Sequence, residues 1–200
     1  VKLPLNCDAH YYSQFMPRSQ SRAIFDWLSV RFDLNEPEFI EMPDGSEVNI
    51  FPWRMIFLEP KLEKSGLFSS HHGRHAAWFP LLSRLQQQIA ELTGVEFSVA
   101  VCLYYPDGKE SLSFHSDLPA FGPTDIIASI SLGAEREFLI RSQNNDEEQH
   151  CVTLEDGSLL IMGEDFQDMY QHALASTPKV ISPRFNISFR QFSWPNEVSV

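Results

Sequence analysis

Seven residues near the C-terminal end, Arg184-Phe185-Asn186-Ile187-Ser188-Phe189-Arg190, alternate without a break between polar and apolar side chains. A period of two belongs to a β-strand, whose successive side chains leave on opposite faces. Phe185, Ile187 and Phe189 must therefore pack on a second layer, while Arg184, Asn186, Ser188 and Arg190 share the other face. If that polar face meets solvent, the segment is an ordinary edge or surface strand. If it lines a cavity, its two guanidiniums need partners, because an uncompensated buried charge is too costly.

Upstream, His115 and Asp117 stand two apart at the end of an apolar-alternating run. On a strand, both would leave from the same face. An imidazole nitrogen beside a carboxylate oxygen makes two-thirds of a 2-His-1-carboxylate face, which leaves coordination positions open on iron(II). A His–Asp hydrogen bond at a strand end is the alternative for the triplet taken alone. His172, in Gln167-Asp168-Met169-Tyr170-Gln171-His172, is the natural third ligand. Arginine is the side chain best shaped to grip a carboxylate bidentately, so a cavity holding a metal and two arginines suggests a dicarboxylate cosubstrate.

Residues 1 to 17 read as extended, with a helix following from about Ser19 to Phe32 on an Ile24, Trp27, Leu28, Phe32 stripe. Asn35 to Gly45 is a loop or hairpin, and Met55 to Leu58 a short strand. A second helix is expected from Trp78 to Leu92, with Trp78, Leu82, Leu85, Ile89 and Leu92 on one face and Gly94 as its stop. Phe97 to Tyr105 is a strand closed by the turn at Pro106-Asp107-Gly108, and short strands and turns fill the chain from there to Trp194. Asn144 to Gln149 reads as a polar hairpin tip. Two helices followed by many short strands suggest a mainly β protein with flanking helices (α+β), a jelly roll with helices packed on one sheet. One domain is expected over 1–200, with an N-terminal extension and supporting helices in 1–95 and the jelly-roll core in 96–194.

The formal net charge of −12 argues against nucleic-acid binding by the whole surface, though not against a local basic groove. Arg54, Lys61, Lys64 and Arg74 supply the one visible source of phosphate contacts, with Trp53, Phe68 and Trp78 as aromatics that would stack on a base. A solvated loop is the plainer reading of that stretch. A second metal site at His71, His72 and His75 is a minor alternative. Three cysteines without metal-knuckle spacing point to a reducing cytoplasm, or the nucleus in a eukaryote. No window has transmembrane length, and a monomer away from membranes is expected.

The ordered set Tyr105-x-Asp107-Gly108, His115-x-Asp117, Ile127-Ala-Ser-Ile-Ser-Leu-Gly-Ala-x-Arg136-x-Phe138, Gly157 to Met162, Gln167 to His172 and Arg184-x-Asn186-x-Ser188-Phe189-Arg190 resembles the AlkB-like branch of the iron(II)/2-oxoglutarate dioxygenases. The resemblance implies a double-stranded β-helix that uses Fe(II), 2-oxoglutarate and O2. It implies iron on His115, Asp117 and His172, and the C5 carboxylate of 2-oxoglutarate on Arg184 with the Tyr105 hydroxyl. Arg190 would lie nearer the C1 end, with Asn186 adding a hydrogen bond. The implied reaction is oxidative demethylation of N-methylated bases in DNA or RNA, single strands being preferred, with the stretch from Arg54 to His75 as a lid over the substrate. The same chemistry on a protein side chain, a lipid or a small molecule is the alternative, and a non-catalytic metal-binding module is a third reading. Two departures bear on the choice: Leu103 stands where the family often has Asn, and Leu118-Pro119-Ala120 stand where many nucleic-acid demethylases carry acids.

Overall fold

The alternating heptad is a strand in the interior of a seven-stranded sheet, paired along both edges. The computed structural model describes residues 1–41, 44–50, 53–145, 147–179 and 181–195. Met42 and Pro43 of the expected loop, and Asp146 of the expected hairpin tip, lie outside the described residues. The strands are β1 (Ala9–Tyr12), β2 (Glu38–Glu41), β3 (Glu47–Ile50), β4 (Arg54–Leu58), β5 (His75–Ala77), β6 (Val99–Tyr105), β7 (Leu112–His115), β8 (Ile127–Gly133), β9 (Arg136–Ser142), β10 (Gln149–Leu154), β11 (Leu159–Met162), β12 (Tyr170–Leu174) and β13 (Arg184–Arg190). The helices are α1 (Arg18–Arg31), α2 (Pro60–Ser65), α3 (Pro80–Thr93) and α4 (Phe166–Met169).

The larger sheet runs β1-β11-β8-β13-β6-β4-β5 and the smaller one β10-β9-β12-β7, with β2 and β3 forming a separate hairpin. Side-chain alternation assigns each face of the larger sheet. On one face Ala128, Ile130 and Leu132 of β8 and Phe185, Ile187 and Phe189 of β13 pack with Ile24 and Leu28 of α1 and Leu82, Leu85 and Ile89 of α3. On the other, Tyr105, Ile127, Leu160 and Met162 meet Phe138, Ile140, Tyr170 and Leu174 of the smaller sheet. Two sheets closed on a shared interior, with helices against one outer face, make the double-stranded β-helix.

The N-terminal 95 residues do more than cover this core. β4 pairs with the outer edge of β6, from Arg54 opposite Leu103 to Leu58 opposite Val99, and so satisfies backbone groups that would otherwise be left at an apolar edge. At the far edge β1 pairs with β11, Ala9 opposite Met162, and residues 1–3 fold back along β1 through bonds between Val1 and Tyr11 and between Leu3 and Ala9. The second helix starts at Pro80 rather than at Trp78, because proline suits a first helical turn where no N–H partner is needed. Leu92, expected on its buried face, is exposed. Gly94 ends the helix with φ of 72°, a left-handed conformation in which its N–H reaches the Ala90 carbonyl.

Candidate metal centre and cosubstrate pocket

β12 and β7 lie side by side with His172 opposite His115, which brings two imidazoles together across 57 residues of sequence. Their ring centroids are 4.3 Å apart. Asp117 follows just past the end of β7, and one ligand atom from each of His115, Asp117 and His172 lies within 4.8 Å of the others. The Nδ1 of His115 is 2.7 Å from the Ser113 carbonyl, which can only accept, so the proton sits there and Nε2 keeps its lone pair for a metal. Asp117 divides its oxygens: Oδ1 accepts from Arg190 Nη2 at 2.6 Å, and Oδ2 lies 3.7 Å from His172 Nε2. Burial alone would raise its pKa, but the Arg190 guanidinium beside it outweighs that and holds it below the usual carboxylate range. Burial among Phe138 and Phe166 pushes His172 down to about 4, so it stays neutral and able to ligate. An anionic carboxylate and two imidazoles, all converging on one point, suit an iron(II) ion.

Beside this centre a pocket between the sheets is lined by Leu103, Tyr105, Asn186, Ser129, Arg184 and Arg190, among others. Arg184 is 1% exposed; its Nη2 donates to Ser131 Oγ at 2.8 Å, its Nε has no partner, and no carboxylate lies within 4 Å among the described residues. Burial lowers its pKa to about 10, and burial pushes the Tyr105 phenol up to about 12, so that hydroxyl remains a donor. A buried cation lacking an anion, next to a phenol, is a fitting seat for the far carboxylate of a dicarboxylate. Asn186 is engaged within the protein: its Nδ2 donates to Ser129 Oγ at 2.8 Å and to the Ile130 carbonyl at 3.0 Å. Arg190, expected near the C1 end of the cosubstrate, has Asp117 as its partner.

The expected substrate patch is rearranged by the β2–β3 hairpin. Arg54 pairs with Glu38 at 3.2 Å and donates to the His72 carbonyl, and Arg74 pairs with Glu36 at 2.7 Å and donates to the Arg54 carbonyl. Both charges are thus met by acids 16 and 38 residues upstream in the chain. Trp53, expected to stack on a base, is instead a core residue, 4% exposed and packed on Phe32 and Phe185, since its ring face supplies core contacts at the end of α1. Trp78 is half-buried with its ring edge-on to Phe189. Lys64 is exposed, and Lys61 Nζ sits 4.3 Å from the ring centroid of Trp194, an aromatic that sequence reasoning passed over. His71, His72 and His75 do not converge into a metal group among the described residues; His72 and His75 pack against Phe68, which is itself buried. Leu118, directly after Asp117, is 76% exposed. No described helix is long and apolar enough to cross a membrane.

Residues 8–190 match the sequence model of the 2OG-Fe(II) oxygenase superfamily. The alpha-ketoglutarate-dependent dioxygenase alkB homolog 3 of Homo sapiens is 37% identical over 122 residues, 56% of this chain and 43% of that protein. The DNA oxidative demethylase ALKBH2 of Homo sapiens is 30% identical over 122 residues, 57% of this chain and 47% of its own length. The chain thus spans less than half the length of these two relatives. A solved structure of OsALKBH1 superposes with a TM-score of 0.65 over 94% of this chain and 99% of that one, at 17% identity, a likeness of fold.

Proposed function

The chain belongs to the 2OG-Fe(II) oxygenase superfamily, and from that premise we propose that it is an AlkB-like dioxygenase that oxidatively demethylates N-methylated bases in DNA or RNA. The convergence of His115, Asp117 and His172 beside the anion-free Arg184 carries the reading as an oxygenase. Support for the substrate comes from the relatives, one of which is a DNA oxidative demethylase. Fe(II), 2-oxoglutarate and O2 would supply the oxidation, in which 2-oxoglutarate is decarboxylated to succinate and carbon dioxide as a substrate C–H becomes C–OH. His115, Asp117 and His172 would hold the metal, and Arg184 with Tyr105 would hold the C5 carboxylate. Arg190 keeps Asp117 ionised and its carboxylate oriented. Val101, Leu103, Leu112 and Phe138 give the pocket apolar walls beside its polar groups. A hydroxymethyl group left on a base nitrogen would leave as formaldehyde. The free cysteines Cys7, Cys102 and Cys151 support a cytoplasmic or nuclear location.

The second reading is the same chemistry on a protein side chain, a lipid or a small molecule. It is favoured by the neutralised Arg54 and Arg74 and by the exposed apolar Leu118 beside the metal centre. Formaldehyde release from methylated single-stranded oligonucleotides, with succinate measured in parallel, separates the two. Formaldehyde from the parent and none from Asp117→Ala supports demethylation; succinate without formaldehyde on every methylated strand transfers the assignment to the second reading.

A further inference from the structure

Two amide side chains that do not line the pocket grip the segment carrying Asp117. The β7 ladder stops at His115, paired with His172, so no strand partner fixes the backbone at Asp117. Its N–H donates instead to Gln167 Oε1 at 2.8 Å. Gln167 lies in α4, five residues before His172, and is 8% exposed. The other end of its amide, Nε2, lies 3.9 Å from the Met162 sulfur, a weak acceptor, so the oxygen is the end committed to Asp117. Gln143, just past β9, donates through Nε2 to the Gln167 carbonyl at 2.8 Å and to Ser116 Oγ at 3.0 Å. Ser116 Oγ in turn donates to the Tyr170 carbonyl at 3.0 Å, and the Gln143 N–H donates to the Met169 carbonyl. The loop bearing one ligand is therefore tied to the helix and strand bearing another by contacts that leave the metal position untouched.

We propose that Gln167 is a positioning residue of the metal centre. Its amide oxygen takes over where the strand ladder ends and sets where the Asp117 carboxylate stands relative to His172, while Gln143 holds Gln167 and Ser116 in register. A part-buried N–H left without an acceptor would pull the Asp117 backbone toward another partner. Because Oδ1 of Asp117 is already committed to Arg190, a small backbone shift would carry Oδ2 away from the imidazoles. This inference rests on the metal site and not on the identity of the substrate.

The test is binding of Mn(II), which accepts the same nitrogen and oxygen donors, measured by calorimetry on the full chain without substrate. Gln167→Met keeps the length and removes the acceptor; Gln167→Glu keeps an acceptor oxygen at the same reach. Melting of the metal-free protein establishes that each variant is folded. The expected result is Mn(II) affinity weakened about 10- to 100-fold in Gln167→Met, the range for partners that orient a ligand, and near the parent's in Gln167→Glu. Folded Gln167→Met binding Mn(II) as the parent does, or Gln167→Glu losing as much as Gln167→Met, overturns the proposal. If Gln167→Met does not fold, Gln143→Ala at its exposed position decides: weaker Mn(II) binding at unchanged melting temperature supports the role, and equal binding overturns it. The substrate assignment can fail in the formaldehyde assay without touching this titration.

Discussion

Replacing Arg184 with Met removes a guanidinium that is fully buried with no carboxylate against it among the described residues, and the two consequences run in opposite directions. Burial pulls its pKa down to about 10, a depression equivalent to roughly 3 kcal/mol of unrelieved cost to the charged form at neutral pH. A bound carboxylate offsets that cost, and methionine of similar length removes it. The 2-oxoglutarate-free variant should therefore melt no lower than the parent. Cosubstrate binding should lose a charge-assisted pair, on the order of 1.5–3 kcal/mol, or about ten- to hundredfold in Kd. The assay is thermal melting with Mn(II), with and without 2-oxoglutarate at about 100 times the parent's Kd. The parent should gain about 2.7 kcal/mol, or about 5–10 °C for a domain of this size. At the same concentration the variant should gain roughly 0.4–1.4 kcal/mol, about 1–6 °C. A variant that keeps the parent's full shift is binding 2-oxoglutarate without Arg184, and the anchor lies elsewhere. A variant that melts far below the parent in the absence of ligand would show that the Ser131 contact outweighs the burial cost.

Two further outcomes are expected. In the metal-free protein His172 stays neutral to about pH 4, so between the unfolded value of 6.5 and that pH the unfolded chain binds a proton that the folded chain does not. Stability should then fall as pH drops through that window, by up to roughly 3 kcal/mol, with Asp117 adding to the loss further into acid; denaturant titrations of the parent showing the same slope as His172→Phe would refute it. Removing both Lys61 and Lys64 should flatten the slope of log affinity against log salt for a single strand by up to about 1.4, while Arg74, already paired with Glu36, is left in place; an unchanged slope would mean the strand runs elsewhere.

Short-range pattern carried much of this architecture. The period-two run of β13 assigns its own faces, because a strand with one apolar side can be placed only one way against helices. The spacing of His115 and Asp117 pointed to a shared site for the same reason, although Asp117 proved to lie beyond the strand and needs Gln167 to hold it. That role left no signal in the sequence, since one glutamine near a histidine has no periodicity. Arg54 and Arg74 looked like free cations because charge counted within a window cannot see Glu36 and Glu38, which only the hairpin brings alongside. Trp53 was misjudged by its neighbours: a tryptophan next to an arginine resembles a stacking platform until Phe32 and Phe185 close over it. The helix stripe that included Leu92 ran one turn too far, toward a C-terminal end where the core no longer reaches.

The pairing of β1 with β11 joins Ala9 to Met162, so β1 has no partner until the chain has been made as far as β11. Closing so long a loop is slow relative to forming the local β9–β10 hairpin, and β1 should be among the last strands to dock. Until it does, Leu159 to Met162 present an unpaired apolar edge, the kind of template on which incomplete chains associate. The fold-back of residues 1–3 along β1 then does for β1 what β1 does for β11: it pairs backbone groups along the outer edge, Val1 with Tyr11 and Leu3 with Ala9. Yield on refolding, more than stability once folded, is where changes to the first dozen residues would be felt.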